Sequence, residues 1–359
     1  MFLKEKKIAE KICEIPVTLD DISESIFGGV STKNGLMHRL AIPEENVSES
    51  FYLCEGFCKP VVVEPELVYP YISGASSEKF GFYPSSYRFM LPYDLVEERG
   101  NRKYKVIPPE ELKDRFPLAY NRILEFKRKF RHDDSPLDIT DYSIRGKKLL
   151  ENMNKPKIIT TEGYHLNAGY DSAGNYLFEE GCGIVLKDEE KYPYVTSVLN
   201  SSIAKIYPSV YRSEIMHLSY ASPAALNRFP IVFPDNRVTE DLVSTTASYL
   251  CFLNKQKYAA DYWLTDNRLW ELTSFYEQIS DLLILDTYFI NDLDPRLLEA
   301  LEDNIHPYAG DLETEDGESL LSALYYIKQQ ILETSNFGKY RFNAGLPGIL
   351  ASLQKNKGY

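Results

Sequence analysis

A glycine-rich loop near the amino end of the chain contains residues that could bind a phosphate. Residues 28–35 read Gly-Gly-Val-Ser-Thr-Lys-Asn-Gly, so backbone N–H groups and the Lys33 side chain would be available to an anion. The loop matches neither the GxxxxGK[ST] pattern of a P-loop nor the GxGxxG dinucleotide fingerprint. Taken alone, it is better explained as a plain surface turn.

The other cysteine, histidine and acidic residues do not form a recognisable metal-binding or hydrolytic motif. Cys54 and Cys58 lack the nearby His or second Cys pair that a zinc site requires, and His132-Asp133-Asp134 is interpreted as a helix end. The chain has no HExxH motif and no GxSxG elbow. We therefore expect no metal site and no catalytic residue. An autonomous nuclease, which needs carboxylates and a Lys around a metal ion, is a less favoured alternative, because the nearest string, residues 186–191, is better explained as a turn after a strand.

A basic stretch is more informative. Residues 101–160 carry fifteen Lys or Arg against nine Asp or Glu, a net charge of +6 in a chain whose net charge is −13. Tyr104, Tyr120 and Tyr142 are interleaved with these cations, a composition suited to contacts with a nucleic-acid backbone. A solvated basic surface that balances the acidic segment 286–318 explains the composition equally well.

Length and composition indicate an ordinary globular protein. The chain has 359 residues, of which 44% are hydrophobic and 26% charged, enough for two or three domains with their own cores. Five scattered cysteines favour a reducing cytoplasm over a disulfide framework. No apolar run approaches the ~18 residues of a membrane span, so we expect a cytoplasmic protein with no membrane partner.

Periodicity predicts strands and helices in the first two thirds of the chain. A short amphipathic helix is expected over 4–14, a helix start at Thr18, and strands between about 36 and 108 and again over 155–187. Helices are expected over 117–131 and 192–206.

The last third is almost entirely helical in periodicity. Helices are expected over 239–257, 266–290, 295–304 and 317–334. We therefore predict an α+β protein in which a strand-rich domain precedes an all-helical one. The predicted divisions are a linker-like helix over 1–16, an α+β domain over 17–234, a helical domain over 235–335 and an irregular tail over 336–359.

Short motifs follow one another in a characteristic order within the α+β domain, at 21–34, 69–74, 87–93, 116–131, 141–145, 156–159, 168–176, 199–201 and 229–231. Together they resemble the specificity (target-recognition) domain of TaqI-like adenine-specific DNA methyltransferases of restriction–modification systems. Gly29-Val30-Ser31-Thr32-Lys33-Asn34, for example, is similar to that family's Gly-Ile-x-Thr-Gly-x-Asn loop. The family's catalytic Asn-Pro-Pro-Tyr motif and its S-adenosylmethionine loop do not occur in this chain.

The resemblance implies sequence-specific recognition of double-stranded DNA without chemistry of its own. S-adenosylmethionine would then bind a separate methyltransferase catalytic domain or subunit, and this chain would be a specificity subunit, a split-gene product or a fragment. Contacts with base edges are expected from Thr32, Lys33, Asn34, Tyr164, His165 and Asn167. Contacts with the DNA backbone are expected from Arg122, Lys127, Arg128, Arg131, Arg145, Lys155 and Lys157.

A protein-interaction module is the alternative function. In that case the acidic helices around 286–318 would dock on a basic methyltransferase or nuclease subunit, and the α+β domain would read no DNA. Salt-sensitive DNA binding distinguishes the two hypotheses.

Overall fold

The computed structural model describes residues 8, 10–12, 14–31, 35–41, 62–72, 77–82, 87–98, 101–162, 166–207, 222–258, 267–291, 293–306 and 317–340. The α-helices with assigned bounds are α1 Leu19–Ile22, α2 Gly35–His38, α3 Pro109–Arg115, α4 Pro117–Arg131, α5 Ile139–Tyr142, α6 Lys147–Glu151, α7 Tyr192–Asn200, α8 Pro223–Leu226, α9 Arg237–Tyr258, α10 Asn267–Phe289, α11 Pro295–Asn304 and α12 Gly317–Thr334. The strands are β1 Ser23–Gly28, β2 Arg39–Ala41, β3 Val68–Ile72, β4 Ser77–Glu78, β5 Gly81–Phe82, β6 Tyr87–Met90, β7 Tyr93–Glu98, β8 Asn101–Val106, β9 Lys157–Glu162, β10 Leu166–Asp171, β11 Leu177–Phe178 and β12 Cys182–Leu186.

These elements confirm the expected α+β class. One antiparallel sheet has the strand order β1-β12-β9-β10, and a second sheet has the order β11-β3-β6-β2, in which only the β11–β3 pair is parallel. Two further pairs, β4 with β5 and β7 with β8, form separate hairpins. The strands therefore lie before residue 187, and within the described part of the chain the structure from residue 237 onward is helical.

The first sheet is apolar on both faces. Ile158, Ile184 and Ala168 point to the face that packs in one core with Val195 and Val198 of α7. Ile159 and Val185 point to the opposite face and join a core that includes Phe178 of the second sheet. Both faces of this sheet are therefore covered by apolar side chains.

Helix α4 spans the residues predicted from periodicity. Pro117 occupies its first turn, where a missing backbone N–H is tolerated. The carboxylate of Glu64 accepts hydrogen bonds from the N–H groups of Leu118 and Ala119, at 2.8 and 2.9 Å. These bonds satisfy donors that have no partner inside the helix, so a distant residue caps this end.

The helix start predicted at Thr18 is also present. The Thr18 hydroxyl and N–H both donate to Asp21 Oδ2 at 2.8 Å, which fixes the short helix α1 before the chain enters β1. The predicted helix over 192–206 is divided: α7 ends at Asn200, and residues 202–207 form another helical segment.

The carboxyl-terminal helices match the predicted spans to within two residues at each end. They do not form a separate core. Leu250 and Leu253 of α9 and Ile279 of α10 belong to the same buried cluster as Val195 of α7 and Ile184 of β12. The hydrophobic core thus continues across the predicted division at 234/235.

The start of the predicted tail is packed. Residues 337–339 form a short 3₁₀ helix, and the side chains of Phe337 and Tyr340 are buried in the core that α9 and α10 share with the sheet. Residues 341–359 lie outside the described ranges.

Candidate nucleic-acid interface

Two of the predicted DNA-reading loops leave the same end of the four-stranded sheet. Gly28, the last residue of β1, lies opposite Cys182, and Cys182 lies opposite Thr160 near the end of β9. Strands β1 and β9 run in the same direction because each is antiparallel to β12. The chain segments that follow Gly28 and Glu162 therefore start from one edge, separated by two strand spacings, or about 10 Å.

The start of the first loop is held by backbone hydrogen bonds on both sides. Val30 N–H donates to Phe178 O, and Ser31 and Arg145 exchange reciprocal N–H···O bonds, each 2.8 Å long. A Cβ on Gly29 would lie 2.5 Å from two carbonyl oxygens, so only glycine allows this close approach. The loop is thus anchored up to Ser31, while Thr32, Lys33 and Asn34 lie outside the described residues.

The second loop joins β9 to β10. Tyr164 and His165 lie outside the described residues. Asn167 was expected in the loop, but it lies within β10, paired with Thr161. Its neighbours Leu166 and Ala168 point into the core, so Asn167 occupies the other face of the sheet, where it is half-buried. The alternation of a strand, not a loop conformation, sets the position of this side chain.

A third segment at this end of the sheet was not singled out by sequence reasoning. The turn before β12 contains Glu180, which is exposed, and Gly181, whose φ is +96°. A Cβ on Gly181 would come within 1.7 Å of Thr160 O, so the turn depends on glycine. The neighbouring Glu179 carboxylate pairs with Arg39 and accepts a 2.8 Å hydrogen bond from the Tyr71 hydroxyl. Glu180 is therefore the carboxylate of this turn that faces solvent.

Three of the cations predicted to contact DNA are buried within the protein. Arg122 Nε donates to Met37 O at 3.0 Å, and Lys157 Nζ lies 2.9 Å from Asp171 Oδ2 and 2.7 Å from Gly174 O. Lys127 is likewise only 4% exposed. The expectation that these three side chains face a DNA backbone is wrong, because each is used to satisfy buried acceptors.

Lys127 belongs to an ionic cluster at the end of α4. Its Nζ lies 2.9 Å from Asp141 Oδ2, 2.9 Å from Pro136 O and 3.4 Å from Asp133 Oδ2. Arg131 Nη1 donates to the other oxygen of Asp141 at 2.6 Å. The carboxylates raise the pKa of the Lys127 ammonium, with the Asp141 hydrogen bond as the largest cause. These cations therefore anchor the segment 133–141 to the helix.

The remaining predicted cations are more accessible. Arg128 is half-exposed and lies 3.3 Å from Asp134, and Lys155 lies 2.7 Å from Glu24. Arg145 is exposed, and its backbone forms the pair with Ser31 described above. Arg145 is thus a predicted backbone contact that lies directly beside the start of the first predicted DNA-reading loop.

Exposed lysines extend the surface around Arg145. Strand β8 turns Tyr104 inward and Lys103 and Lys105 outward, and Lys147 and Lys148 are exposed on the first turn of α6, which packs on β8. We call these four lysines and Arg145 the β8–α6 basic surface. The period-two alternation of β8 was the signal in the sequence that could have identified its lysines.

Metal and hydrolytic chemistry gain no support. Among the described residues, no group of three or more His, Cys, Asp or Glu side chains is placed to hold a metal ion. His132 is the left-handed residue that ends α4, and Asp188 caps the turn 189–191 by accepting a 3.0 Å hydrogen bond from Glu190 N–H. The Asp188 carboxylate of the candidate nuclease string therefore shapes a turn. Cys54 and Cys58 lie outside the described residues.

Comparison with known proteins gives no family assignment: no protein-family model and no curated protein matches the chain. Of the helices in the described ranges, none combines the length and the apolar character needed to cross a membrane.

Proposed function

We propose that this protein recognises a specific sequence in double-stranded DNA and acts as the specificity part of an adenine-specific DNA methyltransferase, in the cytoplasm. The observation that carries the proposal is the common origin of the loops after Gly28 and Glu162 at one edge of the sheet. Their separation of about 10 Å suits the major groove of B-DNA, which is about 12 Å wide.

The residue types in these loops support readout of bases. Lys33 is a donor to guanine O6 and N7, Asn34 is suited to bidentate pairing with adenine, and Glu180 in the adjacent turn would accept from cytosine N4. In this arrangement the reading groups would approach the groove from an anchored sheet edge. Gly29 and Ser31 are fixed by backbone contacts, so the first loop would approach DNA from an anchored starting point.

The β8–α6 basic surface supports contacts with phosphates. It begins at Arg145, whose backbone pairs with Ser31 at the start of the first reading loop, and so lies beside the proposed groove contact. The chain as a whole is acidic, but residues 286–318 account for a net charge of −10 of its −13. A local basic surface, not the total charge, governs approach to a polyanion.

Methyl transfer would be the task of a partner. In this proposal a separate catalytic domain or subunit binds S-adenosylmethionine and the extruded adenine, since this chain has no Asn-Pro-Pro-Tyr motif. The present chain would contribute selectivity by holding the partner at its target sequence.

The test is binding of the full chain to a labelled duplex pool with a randomised core, measured by fluorescence anisotropy at 50 and 200 mM salt and followed by sequencing of the retained DNA. We expect binding that weakens steeply with salt and an enriched sequence motif. Salt-dependent binding without an enriched motif would reduce the proposal to non-specific DNA binding. No binding at low salt would overturn it.

Protein docking is a second candidate function, favoured by the acidic surface of α11. Glu299, Glu302 and Asp303 are all exposed on this helix, while Leu297 and Leu301 pack into the core. A basic methyltransferase or nuclease subunit would be the complementary partner. Tight, salt-sensitive binding to such a subunit together with indifference to DNA would favour this second function.

A further inference from the structure

Helix α12 and the first turn of α10 hold a group of apolar side chains that face solvent. Of the eight large hydrophobic side chains exposed in the described part of the chain, half lie here: Tyr325 (37% exposed), Leu332 (40%), Tyr326 (64%) and Trp270 (74%). Single exposed apolar residues are common on protein surfaces, whereas a group of them at one place marks an interaction site.

Contacts between the two helices bring these side chains to one region of the surface. Lys328 of α12 is buried, pairs with the Glu271 carboxylate of α10, and has its Nζ 5.4 Å from the centroid of the Tyr325 ring. Trp270 precedes Glu271, so the exposed indole lies where α10 borders α12. Leu332 follows Tyr325 by seven residues, or two helical turns, on the same side of α12. We call the four side chains the α10–α12 apolar face: Trp270, Tyr325, Tyr326 and Leu332.

This face lacks unpaired charge. Lys328 is the only charged residue between Ser319 and Leu332 in the sequence, and its ammonium neutralises Glu271. The polar side chains of α12 that accompany the apolar face are uncharged: Ser319, Ser322, Gln329 and Gln330. The neighbouring helix α11, by contrast, exposes three carboxylates, and the chain as a whole has a net charge of −13.

The absence of charge favours a second copy of the chain as the occupant. A basic subunit of the kind that suits α11 finds no carboxylate to attract it between Ser319 and Leu332. Two copies of an acidic chain repel each other wherever carboxylates face carboxylates, and a two-fold dimer packs each surface against itself. Tyrosine, serine and glutamine side chains both donate and accept hydrogen bonds, so two identical faces of this composition can satisfy each other.

We propose that the α10–α12 apolar face joins two copies of this chain into a homodimer. Its four side chains expose on the order of 400 Å². The uncharged polar groups beside them extend the contact toward the ~800 Å² per partner of a standard interface. Enrichment in tyrosine and tryptophan and depletion of charge are the composition of an interface core. The proposal holds whether or not the chain reads DNA.

The test is sedimentation equilibrium of the full chain between 1 and 200 μM at 150 mM salt. We expect the mass to rise from that of a monomer to that of a dimer, with a Kd on the order of 10 μM. Tyr326→Glu places two carboxylates across the dimer contact and should raise the Kd at least tenfold. Leu95→Glu, which adds the same charge at an exposed apolar residue of β7, is the matched control and should leave the Kd unchanged. Circular dichroism checks that both variants are folded.

A second measurement locates the contact. The chain has two tryptophans, so Trp263→Phe leaves Trp270 as the single fluorophore. Acrylamide quenching of Trp270 should decrease at least twofold between 1 and 200 μM protein, because the dimer would cover the indole. A chain that stays monomeric at 200 μM, a dimer unaffected by Tyr326→Glu or equally weakened by Leu95→Glu, or quenching independent of concentration would each overturn the proposal.

Discussion

Lys157 and Asp171 form a buried ion pair, with 2.9 Å between Nζ and Oδ2 and side chains that are 1% and 2% exposed. The pair links the first residue of β9 to the last residue of β10. Asp171 also accepts from the N–H groups of Asn175 and Tyr176, while Lys157 donates to Gly174 O. One charge pair therefore fixes both the hairpin and the turn that leads to β11.

Replacing Lys157 by Met should destabilise the protein strongly. The substitution leaves the Asp171 carboxylate buried without its countercharge, which costs about 3–5 kcal/mol of unfolding free energy. The measurement is urea denaturation followed by circular dichroism. Lys155→Met is the matched control, because Lys155 forms an exposed pair with Glu24 and its loss should cost at most about 1 kcal/mol. Equal losses in the two variants would show that burial of the pair is not important.

His38 should make stability depend on pH. Its ring is buried, stacks on Phe89 and hydrogen-bonds Met90 O through Nδ1, and burial lowers its pKa from 6.5 to about 4. Between these values the unfolded chain binds a proton that the folded chain does not. The titration of His38 therefore leaves the free energy of unfolding unchanged above pH 6.5. It lowers that free energy by about 3 kcal/mol as the pH drops to 4.

The His38 effect can be separated from other acid-sensitive groups by comparison with His38→Gln. The difference in unfolding free energy between the native protein and this variant should shrink between pH 7 and pH 4. A difference that stays constant over that range would contradict the predicted titration.

The β8–α6 basic surface should control the salt dependence of DNA binding. Each of Arg145→Ala and Lys147→Ala removes an exposed cation beside the first reading loop. Each should weaken binding similarly for all sequences and reduce the slope of log K against log salt by about 0.9. Arg237→Ala removes an exposed arginine from α9 and is the control. An unchanged slope in the first two variants would exclude this surface from the interface.

Asp281, which is distant in sequence, should stabilise the helical segment 202–207 through direct hydrogen bonds to its first residue. Its two carboxylate oxygens accept hydrogen bonds of 2.6 Å from Ser202 N–H and Ser202 Oγ. A double-mutant cycle with Asp281→Ala and Ser202→Ala should give a coupling of about 1–2 kcal/mol in unfolding free energy. Asp241→Ala, which breaks an exposed pair with Arg237, should change stability by less than about 0.5 kcal/mol. Strictly additive effects of the first two substitutions would contradict the hydrogen bond between the Ser202 hydroxyl and Asp281.

Local patterns were sufficient to predict most elements. The spacing of apolar residues predicted helix α4 and the carboxyl-terminal helices. Capping preferences predicted the helix start at Thr18 and the position of Pro117 in the first turn of α4. The order of strands and helices along the chain predicted the α+β class. These features depend on residues within one or two turns of each other, so they can be predicted from neighbouring positions in the sequence.

Pairings between distant residues were not predictable in this way. Lys127 was interpreted as solvent-facing because its partner Asp141 lies fourteen residues away, beyond a turn whose path the sequence does not show. The common edge of the two loops proposed to read DNA depends on β12 inserting between β1 and β9, a pairing of strands that lie far apart in the chain.

The continuous core has a consequence for how this protein can be altered. Side chains of α9, α10 and α12 complete the apolar surface against which α7 and the first sheet pack. A chain cut at residue 234 would leave that surface open to water, so the strand-rich part is not expected to fold alone. The loops proposed to read DNA therefore cannot be transplanted as an interchangeable module, and under that proposal a new specificity would have to arise by substitution within the loops while the helices stay in place.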